Sequence, residues 1–209
     1  MSSNHTHTHS LAEGPILRFR QAIRRLVVLC ACSLVVVPGV RAQEMPVPVP
    51  IQAALFTKIL AFDRSLPPTD PEGLVVAVLY QEKVRSSVNA KDEWIEAIES
   101  IGSDGRLEAS CLPIDITDPN VLRASLTNRG IHAIYVTPLR AVEIREITAA
   151  SRSLKIRTFT GVPEYVGAGI GVGIGMKGER PEILINLDAS KAEGTDFRAR
   201  LLKLARIVR

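Results

Sequence analysis

Residues 161–209 read GVPEYVGAGIGVGIGMKGERPEILINLDASKAEGTDFRARLLKLARIVR. Glycines stand at 167, 169, 171, 173 and 175. This strict period of two puts them on one face of a strand. The other face carries Ala168, Ile170, Val172, Ile174 and Met176. A dinucleotide fingerprint needs glycines at i, i+2 and i+5. The last position is Val172, Ile174 or Met176 in the three registers, so that chemistry is excluded. Glycine weakens a strand, and a bare face predicts close approach of another backbone or helix. The alternative is a ligand or partner docked on that face, over Gly169, Gly171 and Gly173.

Beyond the glycines, Lys177 to Arg180 forms a polar turn containing Gly178. The run EILINL at 182–187 predicts a second strand, the hairpin partner of the first. Asp188 is positioned as the N-cap of the next helical segment. Phe197, Leu201, Leu204, Ala205 and Val208 recur as one helical stripe, predicting a closing helix. Arg198, Arg200, Lys203 and Arg206 fall on its solvated face.

Upstream, LVVAVLY at 74–80 is a continuous apolar run, the pattern of a buried parallel strand. Residues 81–90 read as a loop. Trp94, Ala97, Ile98 and Ile101 mark a helix closed by Gly102. Further strands are predicted at 107–116, 131–136 and 154–160. Helices are predicted between them, from the Asp118-Pro119 cap to Arg129 and over 140–151. Ile51, Ala54, Leu55, Ile59 and Phe62 mark an earlier helix, ending before Pro67-Pro68. Strands alternating with helices imply βαβ units. The expected fold is a single three-layer α/β domain, with a mostly parallel open sheet, a C-terminal β-hairpin and the closing helix.

The N-terminus reads as an export signal. Four arginines at 18, 20, 24 and 25 precede an apolar run at 26–37, then a Pro-Gly break and Val40-Arg41-Ala42. That is a secretory signal peptide, 1–42, expected to be cleaved. The mature domain would span 51–209, behind a proline-rich leader at 43–50 that spaces it from its neighbours. The net charge of +4 belongs to the signal. Five of the 26 basic residues and one of the 22 acids lie there, leaving 21 of each. An electrically balanced chain offers no footprint for nucleic acid. Cys30 and Cys32 would leave with the signal, so Cys111 remains alone. It reads as a buried small hydrophobe, with an intermolecular bridge as the alternative.

The mature chain has no P-loop, zincin, nucleophile-elbow or C-x-x-C motif. His132, its one histidine, reads as a packing residue. No catalytic set, metal site or cofactor is predicted. Ligands in open α/β sheets bind outside the carboxyl ends of the strands. Arg85, Ser86 and Ser87 follow the first strand and could present a guanidinium, hydroxyls and amides to an anion. An ordinary helix-capping loop is the competing reading. Thr137, Arg140, Glu164 and Tyr165 fall at the other strand ends.

Three blocks resemble the YfiR family of small periplasmic proteins, with a domain of the DUF4154 type. They are IQAALFTKILAFDRSLP at 51–67, GAGIGVGIGMKGERPEILINLDASKAEG at 167–194 and RARLLKLARIV at 198–208. The resemblance implies a periplasmic, non-enzymatic regulator. It would bind the extracytoplasmic domain of an inner-membrane signalling protein, a diguanylate cyclase or a histidine kinase, and could form a homodimer. It gives no site residues here. The cysteine pairs that serve redox sensing in the best-known member are absent. The alternative is a periplasmic small-molecule-binding protein using the strand-end crevice.

Overall fold

The computed structural model describes residues 44–66, 73–103, 109–118, 120–127, 129–140 and 144–209. The signal-peptide reading of 1–42, with Cys30 and Cys32, falls outside them, as does Pro119. The first helix, α1, is Val49–Leu60. Next come β1 (Leu74–Tyr80), α2 (Arg85–Ser103), β2 (Ala109–Asp115) and α3 (Val121–Leu126). Then come β3 (Ala133–Val136), α4 (Ile144–Leu154), β4 (Arg157–Thr160) and α5 (Pro163–Gly167). The C-terminal part holds β5 (Val172–Lys177), β6 (Arg180–Asn186), α6 (Leu187–Ala192), α7 (Ala199–Leu202) and β7 (Arg206–Val208).

The strands form one sheet in the order β2-β1-β3-β4-β5-β6-β7. All neighbouring pairs are parallel except β5 and β6. The apolar run of β1 is therefore central and covered on both faces, as parallel strands require. Val76 and Val78 face one core with Phe56, Ile59, Trp94, Ile98 and Tyr135, under α1 and α2. Ala77 and Leu79 face the other core with Leu122, Ile147, Ile134 and Tyr165, under α3, α4 and α5. This is the expected three-layer α/β architecture. The hairpin is present too, with Val172 opposite Ile185 and Gly178 at φ 60° in its turn.

Several element boundaries differ from the sequence reading. Helix α2 starts at Arg85, inside the predicted loop. Its inner face is Ser87, Ala90, Trp94 and Ile98, all buried, and serine and alanine carry too little hydrophobicity to reveal the first turn. The glycine stretch is not one strand. Pro163 begins α5, and β5 starts only at Val172. Gly169 sits between them at φ 114°, a conformation that side chains resist.

The N-cap of α6 is Asn186 rather than Asp188, its side chain accepting from Ala189 N at 3.0 Å. The closing helix is four residues long. Leu201 is buried, but Leu204 is 69% exposed and the chain then turns into edge strand β7. The leader is not a free spacer, because Val47 and Val49 are buried in the core beside α1.

Candidate functional site

The strand ends bring part of the predicted crevice set together. Beyond β1, Gln81 N donates to Ser87 Oγ at 2.9 Å. Ser87 Oγ lies 2.6 Å from Thr137 Oγ1, which donates to Leu79 O at 2.8 Å. A carbonyl only accepts, so the Thr137 proton points to Leu79 and the Ser87 proton to Thr137. The result is a one-way chain with no hydroxyl left over. Nearby, Arg140 N donates to Gln81 Oε1 at 2.6 Å. Tyr165 OH accepts from Leu139 N at 2.9 Å and donates to Leu139 O at 3.3 Å.

These bonds tie the loops after β1 and β3 to α2 and α5. Ser87 and Thr137 are fully buried, and Tyr165 is nearly so. Burial pushes the Tyr165 phenol up to about 12, opposed by the Leu139 backbone bond and reinforced by Glu164. It stays protonated at neutral pH and cannot act as a base. Arg85, Ser86, Arg140 and Glu164 are exposed at the rim. The predicted set thus divides into a buried structural half and a solvated half. Ser87→Ala should lower stability by about 1–3 kcal/mol, since Gln81 N and Thr137 Oγ1 lose their partner. Urea denaturation measures this.

Gly169, Gly171 and Gly173 lie elsewhere and are covered, whereas Gly167 is exposed. A Cβ on Gly173 would stand 2.3 Å from Val166 Cγ2 of α5. One on Gly171 would stand 2.5 Å from Glu193 Oε2 and 3.1 Å from Ser190 Oγ. Gly169, Gly171 and Gly173 are all buried. Close approach by this chain's own segments accounts for the bare face, and no docking surface exists over these three glycines.

Beneath α1 lies a cavity of about 10 Å³ walled by Phe56, Trp94, Tyr135 and Phe159. That is room for one water at most, far below the several hundred Å³ of a metabolite pocket. The wall is nonetheless polar at one corner. Gln52 donates to Val47 O at 2.6 Å and accepts from Tyr135 OH at 2.8 Å. No local pattern announces this contact, because a lone glutamine on an amphipathic helix normally faces water.

Neither remaining reactive side chain is poised for chemistry. Cys111 is half-buried on edge strand β2. Burial, then the Glu99 charge, pushes its thiol up to about 12, so it is not a thiolate. His132 Nδ1 accepts from Val75 N at 3.1 Å, as a packing histidine does. Among the described residues, no three His, Cys, Asp or Glu side chains gather as metal ligands. No described helix is long and apolar enough to cross a membrane.

Known proteins share this architecture. A search of curated proteins finds no match. The ABC domain of Streptococcus pneumoniae, solved in complex with L-Trp, superposes with a TM-score of 0.56 at 14% identity. The match covers 78% of this chain and 62% of that one. A conserved domain protein from Vibrio cholerae gives 0.53 at 13% identity, covering 78% and 60%. The chain thus spans about three-fifths of the length of these structures. At such identities the likeness is one of fold alone, an α/β architecture built on a mostly parallel open sheet. The YfiR/HmsC-like family profile (DUF4154) matches residues 50–206, from the start of α1 to the start of β7. The chain belongs to the YfiR/HmsC-like family.

Proposed function

We propose that this chain is a periplasmic, non-enzymatic regulator. Its target would be the extracytoplasmic domain of an inner-membrane signalling protein, a diguanylate cyclase or a sensor kinase. The observation that carries this reading is the family match across residues 50–206. The site supports it by its chemistry. The buried strand-end hydroxyls of Ser87, Thr137 and Tyr165 are spent on internal bonds, the one described thiol is protonated, and the aromatic cavity is too small for a metabolite.

Regulation would then work by population shift. The regulator prefers the inactive conformation of its target, and a cue weakens that preference. Deleting the gene is expected to raise cyclic-di-GMP and surface attachment, measured beside a strain restored with the full chain. Unchanged levels in a strain whose cyclase is captured by this chain would overturn the cyclase version. In that case the kinase version predicts altered phosphorylation of the partner.

The second reading is small-molecule binding at the strand ends, favoured by the similar fold of the Streptococcus pneumoniae ABC domain, which was solved in complex with L-Trp. Arg85, Ser86, Arg140 and Glu164 are the exposed groups that would meet such a ligand. Thermal-shift screening separates the two. Stabilisation by a solute without partner capture favours the second, and capture without stabilisation favours the first.

A further inference from the structure

Glu193 is the C-cap of α6 and is only 1% exposed. Gly194 comes next at φ 85°, ending the helix with the left-handed turn that glycine favours. The Glu193 carboxyl reaches two other elements. Oε2 accepts from Thr158 N of β4 at 3.0 Å, and Oε1 from Thr158 Oγ1 at 2.6 Å. Ser151 Oγ of α4 donates to Oε1 at 3.2 Å. Thr158 Oγ1 in turn accepts from Gly171 N at 2.8 Å. One carboxyl therefore joins α4, β4, the turn before β5 and the C-terminal segment.

The Arg152 charge favours its ionised form but forms no ion pair with it. Among the described residues, no ion pair includes Glu193. The charged groups on the surrounding elements are engaged or solvated. Arg152 of α4 donates to Gly169 O at 3.2 Å, and Lys155 Nζ to Ala192 O at 2.8 Å. Arg157 of β4 pairs with Asp63. Arg145 and Glu146 of α4 are exposed, as are Asp188 and Lys191 of α6 itself. A buried, unpaired carboxylate is costly and is relieved by taking up a proton.

The hydrogen bonds accommodate that proton. Ser151 Oγ has one hydrogen and two acceptors, Thr148 O at 3.1 Å and Glu193 Oε1. With an ionised Glu193 it serves only one of them. A neutral acid donates to Ser151 Oγ, and Ser151 then donates to Thr148 O.

We propose that Glu193 is a proton-operated latch: protonated, it holds residues 187–209 closed on α4 and β4, and ionised, it loosens them. That segment carries α6, α7 and edge strand β7, with Leu204 and Ile207 exposed on it. Opening it would detach an edge strand from the sheet. The latch operates whichever partner the chain binds.

The direction in pH is set by burial. Burial pushes the Glu193 carboxyl from 4.5 up to about 7, against bonds from Thr158 and Ser151 and the Arg152 charge. The closed state thus holds a proton that the open state releases. Closure is strongest at low pH and weakens as pH rises through about 7.

The test is amide hydrogen exchange over residues 187–197 in the full chain, corrected for the intrinsic pH dependence of exchange. The wild-type opening equilibrium should rise about tenfold per pH unit from about pH 5 to 7, then level off. In E193Q, which keeps the side-chain shape and removes the titration, the profile should be flat. A flat wild-type profile, or a rise that persists in E193Q, overturns the latch. If E193Q does not fold, carbon-13 NMR of the Glu193 carboxyl in the wild type decides. A midpoint near 7 supports the latch, and one at the ordinary glutamate value overturns it.

Discussion

Trp94→Ala is expected to destabilise the fold by about 3–5 kcal/mol, the usual cost of emptying a buried aromatic site. Trp94 is 1% exposed. Its ring stacks on Tyr135 with centroids 3.6 Å apart and planes 11° from parallel. Phe56 meets it edge-on at 5.1 Å and continues to Phe159 at 4.5 Å. The four rings join α1, α2, β3 and β4, so removing the indole opens a void shared by two helices and the sheet. For a domain of 150–250 residues each kcal/mol moves Tm by about 2–4 °C, so a fall of roughly 10 °C is expected by circular dichroism. Trp94→Phe should cost much less. Trp94 Nε1 is buried with no hydrogen-bond partner among the described residues, and phenylalanine removes that unsatisfied donor. Equal losses in the two variants would show that ring stacking is not what stabilises this core.

The other large effect is expected at Asp63, just after α1. Its Oδ1 accepts from Ser65 N at 2.9 Å, Ser65 Oγ at 2.6 Å and Asp196 N at 3.0 Å. Oδ2 pairs with Arg157 Nε of β4. Asp63 also bridges to Phe197, so one carboxylate fastens the first helix, a central strand and the segment entering α7. Asp63→Ala leaves Arg157 half-buried without its anion and should cost about 3–5 kcal/mol. Arg157→Met in the same background should recover part of that, because the stranded charge disappears. A double-mutant cycle in urea measures the coupling.

Acid has a matching effect on Asp63. Burial would raise its pKa, but bonds from Ser65, Arg157 and the Ser65 and Asp196 amides outweigh burial and hold it below 3.8. A carboxylate depressed on folding contributes stability above its unfolded value and loses it as pH falls through the folded one. Asp63→Asn should therefore flatten the acid limb of the stability curve. It should leave the rise of segment opening toward pH 7 unchanged, because that rise belongs to Glu193.

The legible features were those with a repeated local cause. LVVAVLY at 74–80 announced a central parallel strand because both its faces are covered. Glu182 to Leu187 opposite the glycines announced the hairpin. The sequence places Ser87, Thr137 and Tyr165 after strands, and residues that follow parallel strands gather at one edge of the sheet. It could not show that their hydroxyls would be used up internally, because Gln81 N, Leu79 O and Leu139 meet them only once the loops fold back.

By itself the sequence determined the alternation of buried strands and helices and the mostly parallel sheet. Those depend on periodicity and composition, which are carried along the chain. Tertiary structure alone decided what the glycines are for, where the helix predicted at 197–208 stops, and which carboxylates lie inside. Nothing local marks Glu193 or Asp63 as buried. Their environment comes from Thr158, Ser151, Arg157 and Asp196, up to 133 residues away, and desolvation depends on such neighbours rather than on sequence pattern.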